Sequence, residues 1–192
     1  MATFSPEQLA EALQKAPSAF LSQFDPAMRR YLRGFAQGTM AKRITGRPGL
    51  INRTGALRRS FGTAVTGEGS VDTWAGTVYT TSPYARMQEF GGTQTPKKSQ
   101  FLTIPLASAR TGAGASRGGA RSFSNTFFAK SKAGNLLMFQ KQGKKIVPLF
   151  VLKKSVSIPP RLGMRSAWEQ DVDARRAVLA KATKAALDGL GA

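Results

Sequence analysis

The side chains that could carry chemistry in this 192-residue chain are restricted by the absence of histidine and cysteine. No Ser-His-Asp or Cys-His nucleophile can form, and neither can a metal site built on imidazole or thiolate. An enzyme would have to use carboxylate, Lys, Tyr or Ser chemistry, and only ten carboxylates are present. The composition therefore argues against catalysis and predicts no disulfide, no cofactor and no metal.

A metal-dependent nuclease is the enzyme class that the remaining residues leave open, because basic surfaces hold DNA and clustered carboxylates hold Mg²⁺. Glu68 lies in a predicted turn, Asp72 on a predicted strand and Glu89 at the end of a short helical turn. The other seven acids belong to the terminal helices or their approaches, and no pair has the spacing of a two-metal site. The Gly-rich stretch 112–119 also lacks the spacing of a nucleotide-binding loop. We expect no enzymatic activity.

The charge is strongly positive and unevenly distributed. Twenty-nine Lys and Arg face ten Asp and Glu, which gives a formal net charge of +19. Residues 26–67 contain nine basic residues and no acid, and residues 90–168 contain fourteen basic residues and no acid. The ten acids are confined to three regions outside these tracts. A solvated surface normally interleaves the two signs. The two tracts therefore predict a negatively charged partner, either nucleic acid or an acidic protein surface.

The second basic tract supplies the candidate binding residues. Residues 107–122 are rich in Gly, Ala, Ser and Arg and have no large apolar side chain, which predicts a flexible basic loop or arm without a role in a core. We expect phosphate or an acidic neighbour to be bound by eight residues of this tract: Arg110, Arg117, Arg121, Lys130, Lys132, Lys141, Lys144 and Lys145. Phe127, Phe139 and Phe150 alternate with these lysines and are expected in the core, the alternative being bases stacked on them.

Helices are predicted at both ends. Ser5-Pro6-Glu7 is a helix start, Pro17 is expected to interrupt that helix, and Asp25-Pro26 to begin another that ends near Arg43. Residues 1–25 would form an N-terminal helical extension. A closing helix is expected from about Leu162 to Leu187, with an apolar stripe formed by Met164, Trp168, Val172, Leu179, Ala182 and Ala186 and continued by Leu190.

The region between the helices has strand signals. Runs rich in β-branched and aromatic residues, separated by Gly-containing turns, predict a mainly antiparallel sheet with the basic loop inserted. Pro148 predicts an edge strand or a bulge. The sequence thus indicates a single α+β domain over residues 1–192. No apolar run of membrane-spanning length and no secretory signal is found.

Three short motifs resemble the tail-completion family (head–tail joining, or neck, proteins) of long-tailed bacteriophages. They are Arg53-Thr-Gly-Ala-Leu-Arg-Arg-Ser-Phe, Tyr84-Ala-Arg-Met-Gln-Glu-Phe-Gly-Gly, and Ile158-Pro-Pro-Arg before a closing helix. The basic run from Lys144 into Ser157-Ile-Pro-Pro-Arg is also similar to the related minor tail protein Z family of lambdoid phages. The resemblance covers about residues 26–187, and the insertion at 107–122 departs from it.

The resemblance implies a non-enzymatic virion protein at the head–tail interface, or at the head-proximal end of the tail, made in the host cytoplasm. It would form a homo-oligomeric ring around the DNA channel and contact a connector, tail terminator or tail tube. The matching residues would be structural: Gly55 and Leu57 setting the turn into the hairpin, Tyr84, Glu89 and Phe90 fixing a helical turn, and Gly91 allowing the reversal. The alternative is a free, nonspecific nucleic-acid-binding protein.

Overall fold

The long first helix, α1 (Pro6–Gly34), contains both prolines that the sequence analysis treats as helix breaks. The predicted interruption at Pro17 and new start at Pro26 are therefore wrong. A proline in a helix removes one backbone N–H, and here the packing of α1 along the C-terminal helix outweighs that loss. The computed structural model describes residues 6–45 and 50–189, so Ser5 and the rest of 1–5 lie outside the described residues.

The order of elements confirms an α+β fold, with helices at both ends and antiparallel sheets between them. Helix α1 continues through a π-helical turn (Phe35–Thr39) into a short α2 (Met40–Arg43). The remaining elements are α3 (Ala56–Arg59), β1 (Phe61–Thr66), β2 (Ala75–Thr80), α4 (Ala85–Phe90), β3 (Gly92–Gln94), β4 (Leu102–Pro105), β5 (Thr126–Lys130), β6 (Leu136–Gln142), β7 (Lys145–Lys153), β8 (Val156–Ile158), α5 (Met164–Gln170) and α6 (Val172–Gly189). None of these helices has the length and apolar character needed to span a bilayer.

Contacts divide the chain into two compact units. The helical unit contains the described residues up to Ile51, Ala56–Ala85 and the described residues from Leu162 onwards. The sheet unit contains Asn52–Gly55 and Arg86–Arg161. Whether the chain behaves as the single domain expected from its length stays a prediction.

The helical unit is built around the face of α1 that packs on α6 and on the β1–β2 hairpin. Its core is formed by Phe35, Met40, Ile44, Ala85, Leu162 and Ala167. Phe35 meets the edge of the Trp168 ring at a centroid distance of 5.2 Å, and the Arg175 guanidinium lies 4.3 Å from the Trp168 ring centroid. Aromatic packing thus joins the two terminal helices.

The closing helix is broken at Asp171, where the sequence analysis expects a continuous helix. The Asp171 backbone departs from helical geometry, with φ of −94° and ψ of +21°, and its carboxylate accepts a 2.6 Å hydrogen bond from the Tyr31 hydroxyl. Burial, and then this bond, raise the pKa of Tyr31 to about 12. Within α6, Ala182 and Ala186 are buried as expected, whereas Val172 and Leu179 are exposed, so that part of the predicted stripe is wrong. Leu190 lies outside the described residues.

Asp25 connects α1 to the β1–β2 hairpin. Its carboxylate accepts hydrogen bonds from Arg29 Nε at 2.8 and 3.0 Å and from Trp74 Nε1 at 2.8 Å. Arg29 also bonds to Glu68 at 2.6 Å. The hydrogen bond from Arg29, and then the one from Trp74, lower the pKa of Asp25.

Replacing Asp25 should therefore destabilise the protein in a pH-dependent way. We expect Asp25→Ala to lower the free energy of unfolding by about 1 kcal/mol at pH 7, and Asp25→Asn, which keeps an acceptor for Trp74, to lower it less. A carboxyl whose pKa is depressed by folding stabilises above its unfolded pKa of about 3.9, and the effect is lost as the pH falls through the lower folded value. Urea unfolding should give a constant difference between wild type and Asp25→Asn above about pH 5, shrinking below about pH 4. A difference unchanged at low pH would contradict a role for the charge.

The sheet unit contains a four-stranded antiparallel sheet in the order β4-β7-β6-β5 and a separate β3–β8 pair. The pairing shifts between Met138 and Phe139, where Met138 faces Phe150 and Phe139 faces Pro148. Of the two predictions for Pro148, the bulge is confirmed and the edge strand is wrong, because β7 lies inside the sheet. The sheet tolerates a proline at this position because the bulge interrupts the hydrogen-bond ladder beside it.

The inserted segment 107–122 takes part in the core of the sheet unit, so the expectation that it has no core role is wrong. Ala109 is fully buried and packs with Met138, Leu149 and Phe150. Ala120 also packs there, and Phe123, directly after the segment, meets the Phe150 ring at 5.5 Å. Small residues can pack in a core when a larger aromatic neighbour fills the remaining space. The composition of the segment alone does not show that such a neighbour is present.

Because the segment is packed, trypsin should cut slowly at its arginines. Ala109→Glu places a charge in the core and should speed cleavage after Arg110 and Arg117 about tenfold or more, since local opening becomes easier. Ala113→Glu, at the exposed tip of the same segment, is the matched control and should leave the rate unchanged. Fragment mass spectrometry over time measures both. Rapid cleavage of the wild type at these arginines would show a mobile arm instead.

Candidate nucleic-acid interface

The positive charge is concentrated in the sheet unit. This unit contains 15 Lys and Arg and a single acid, Glu89, and so carries +14 of the net +19. The rest of the chain has 14 basic and nine acidic residues, net +5. Five ion pairs among the described residues, such as Lys15–Glu11 and Arg176–Asp173, lie in the helical unit. The sheet unit has too few carboxylates to balance its own charge.

One group of predicted residues lies at the turn between β6 and β7. Lys141 faces Ile146, Gln142 faces Lys145, and Lys144 is in the turn itself. All three lysine side chains are exposed. They form a compact positive end of the sheet.

A second group lies at the opposite end. Lys130 faces Leu136, and Lys132 follows in the β5–β6 turn. Because β6 has seven residues, the two ends are about 20 Å apart. The eight predicted residues therefore do not form one patch.

Two lysines that the sequence analysis missed belong to this second end. Lys153 Nζ donates a 2.6 Å hydrogen bond to Asn135 Oδ1 in the β5–β6 turn, and Lys154 follows it. The signal that could have found them is the hairpin register. Counting back along the two strands from the Gln142-Gly143-Lys144 turn brings the end of β7 beside the start of β6.

The three arginines of the inserted segment occupy two places. Arg110 and Arg117 come together, because Arg117 Nε donates to the Arg110 carbonyl at 2.9 Å. Arg121 lies exposed in a separate 3₁₀ turn (Ala120–Ser122). The structure therefore places the arginines on folded backbone.

The aromatic residues of the sheet only partly follow the prediction. Phe150 is buried, as expected, but Phe127 is 39% exposed and stacks on Phe139 with the ring centroids 5.5 Å apart. Phe128, its neighbour on the edge strand β5, is 62% exposed. The expectation that Phe127 is a core residue is wrong, because β5 is the last strand of the sheet.

The residues of the family-like motifs lie mainly at turns. Gly55 has φ of +73° and donates its N–H to Asn52 Oδ1 at 2.7 Å, and Leu57 packs partly buried against the core of the helical unit. Tyr84 and Phe90 are exposed, and Glu89 is half-buried. Gly91 has φ of +71° and donates its N–H to the Met87 carbonyl at 2.9 Å, ending α4.

The carboxylates form no obvious metal site. Among the described residues, no group of three or more could hold an ion. Asp25 and Glu68 share Arg29, so their negative charge is already paired. Asp72 is exposed in the turn before β2.

Comparison with protein-family models, with curated proteins and with solved structures found no match to this chain.

The positive φ at Gly91 makes it a test of the structural role that the resemblance implies. A Cβ there would lie 2.9 Å from the Ile158 carbonyl oxygen and 2.9 Å from Pro160 Cδ. We expect Gly91→Ala to destabilise the protein by about 2 kcal/mol, through the left-handed conformation and these contacts. Gly119→Ala is the control, because its φ is −71° and nothing lies near its Cβ position. Thermal unfolding should separate the two; equal midpoints would contradict the assignment.

Proposed function

We propose that this protein is a structural virion protein that completes a phage tail or joins it to the head, assembling as a ring around the DNA channel. The observation that carries the proposal is the segregation of charge, with +14 on a sheet unit that contains one carboxylate. Such a unit is stabilised by a polyanion or an acidic neighbour beside it. A DNA channel lined by several copies supplies that environment.

The motif positions support the same proposal. The Tyr84–Gly92 motif forms a short helix closed by a left-handed glycine, and β3 begins directly after that glycine. The Ile158-Pro-Pro-Arg motif begins at the last residue of β8, the strand that pairs with β3. Two motifs that are distant in sequence therefore meet in one structural feature, which supports a structural role for them and does not require catalysis.

Ring assembly is supported by the open sheet. A closed ring needs two different complementary surfaces on each subunit. The four-stranded sheet ends in β4 on one side and β5 on the other, and a strand edge offers unpaired backbone groups to a neighbour.

The proposal is tested with particles assembled without this chain. We expect DNA-filled heads with unjoined tails, or tails with defective ends, in electron micrographs, and infectivity restored by the wild-type gene in trans. Normal, infectious particles would overturn the proposal.

Two charge-reversed variants sharpen this experiment. The first variant has Glu at four sheet-unit lysines (Lys130, Lys132, Lys144 and Lys145) and should fail to restore infectivity. The control variant has Glu at four exposed helical-unit cations (Arg33, Lys42, Lys181 and Lys184). It changes the net charge by the same amount and should restore infectivity. Circular dichroism checks that both fold. Equal complementation would contradict the assignment of the polyanion contact to the sheet unit.

A second candidate, a free nucleic-acid-binding protein, is favoured by the exposed rings of Phe127 and Phe128 beside Lys130. Bases of a single strand stack on such rings. The deletion experiment separates the two functions, because a free binding protein predicts intact, joined particles.

A further inference from the structure

Residues 110–117 form a short hairpin whose backbone hydrogen bonds hold Arg110 and Arg117 at its base. Arg110 and Ser116 form an antiparallel bridge, Thr111 N–H donates to the Ala115 carbonyl at 2.8 Å, and Arg117 N–H donates to the Ala109 carbonyl at 2.9 Å. Since Ala109 is fully buried, the base of the hairpin is anchored in the core of the sheet unit.

The two arginines at this base are oriented by the protein. Arg117 uses Nε to bond the Arg110 carbonyl, which leaves its two terminal nitrogens for another acceptor. Arg110 is partly buried, and its Nε is inaccessible to solvent and has no hydrogen-bond partner. This Nε–H has lost its hydration without gaining an acceptor, and an unpaired buried donor is costly.

A third arginine reaches the same hairpin from a distant part of the sequence. Arg53 lies along the hairpin turn, and its Nε is 3.6 Å from the position that a Cβ on Gly114 would occupy. Gly114 has φ of +79°, so glycine shapes the turn beside which the Arg53 side chain lies. Asn52–Gly55 belongs to the sheet unit by its contacts.

Among the described residues, no carboxylate forms an ion pair with these three arginines, and Glu89 is the one carboxylate in the sheet unit. The guanidinium fork matches two oxygens of one phosphate, a geometry that lysine cannot provide. The other twelve cations of the unit include groups at both ends of a sheet about 20 Å long. A ligand that satisfies all of them carries closely spaced charges over at least that length, as duplex DNA does with one charge per about 1.7 Å.

We propose that Arg53, Arg110 and Arg117 form a phosphate-binding site for the backbone of double-stranded DNA, with the lysines at the two sheet ends adding only nonspecific attraction. The site deepens the proposed function, and rests on it for the choice of DNA as the polyanion.

The test uses full-length protein, a fluorescein-labelled 20-base-pair duplex, and charge-conserving variants. We expect Arg53→Lys to weaken binding about fivefold and Arg53→Lys with Arg117→Lys more than about tenfold, because the charge stays and the fork is lost. Arg86→Lys, an exposed arginine of the sheet unit outside the hairpin, is the control and should change affinity less than about twofold. Thermal unfolding of each variant confirms that the fold is kept, and Arg53→Lys carries the test if Arg117→Lys loosens the hairpin.

Arg53→Lys binding DNA like the wild type, or Arg86→Lys weakening it as much as Arg53→Lys does, would overturn the site. Polyglutamate of equal charge tests the other source of anions. If it binds more tightly than the duplex, and the two lysine substitutions weaken only that binding, the ligand is an acidic protein and the DNA assignment is overturned. Particle joining is scored separately, so failure of this site with unjoined particles in the deletion leaves the proposed function in place.

Discussion

Uncompensated charge in the sheet unit is the constraint on which the rest of the structure depends. Fifteen cations and one carboxylate in a unit of this size repel one another, and the repulsion is not relieved by internal ion pairing. The fold distributes the lysines to the two ends of the sheet, with exposed side chains. Among the described residues of the sheet unit, Arg110 is the one cation that is partly buried, so an external anion would have its largest effect on stability at Arg110.

The inserted segment joins the core to the charged surface. The sheet needs cover on the face that presents Met138 and Phe150, and the segment supplies it through Ala109, Ala120 and the following Phe123. The same segment then places Arg110, which is partly buried, and the exposed Arg117 at the base of a short hairpin. Cationic groups on packed backbone lose less conformational entropy on binding than groups on a mobile arm. The packing of this segment would therefore favour the anion binding that we propose.

The sequence predicted what depends on local pattern. The α+β class, the antiparallel strands between the terminal helices and the basic tract follow from residue type and alternation. What the sequence could not predict depends on contacts between distant residues. Pro17 and Pro26 stay helical, the helix breaks at Asp171, whose carboxylate bonds Tyr31, and Arg53 lies beside Gly114. Lys153 was missed because its place beside Asn135 comes from strand register.

The two units differ in how they hold their charges, and this difference bears on function. In the helical unit, Asp25 accepts from both Arg29 and Trp74, so its charge serves to fix α1 against the hairpin. A cation already paired in this way gains little from a second anion, since its attraction is partly neutralised. Among the described residues, no ion pair includes an arginine of the sheet unit, and the carbonyl oxygen to which Arg117 donates does not neutralise its charge. The proposed polyanion contact therefore belongs to the unit whose positive charges the fold leaves unneutralised.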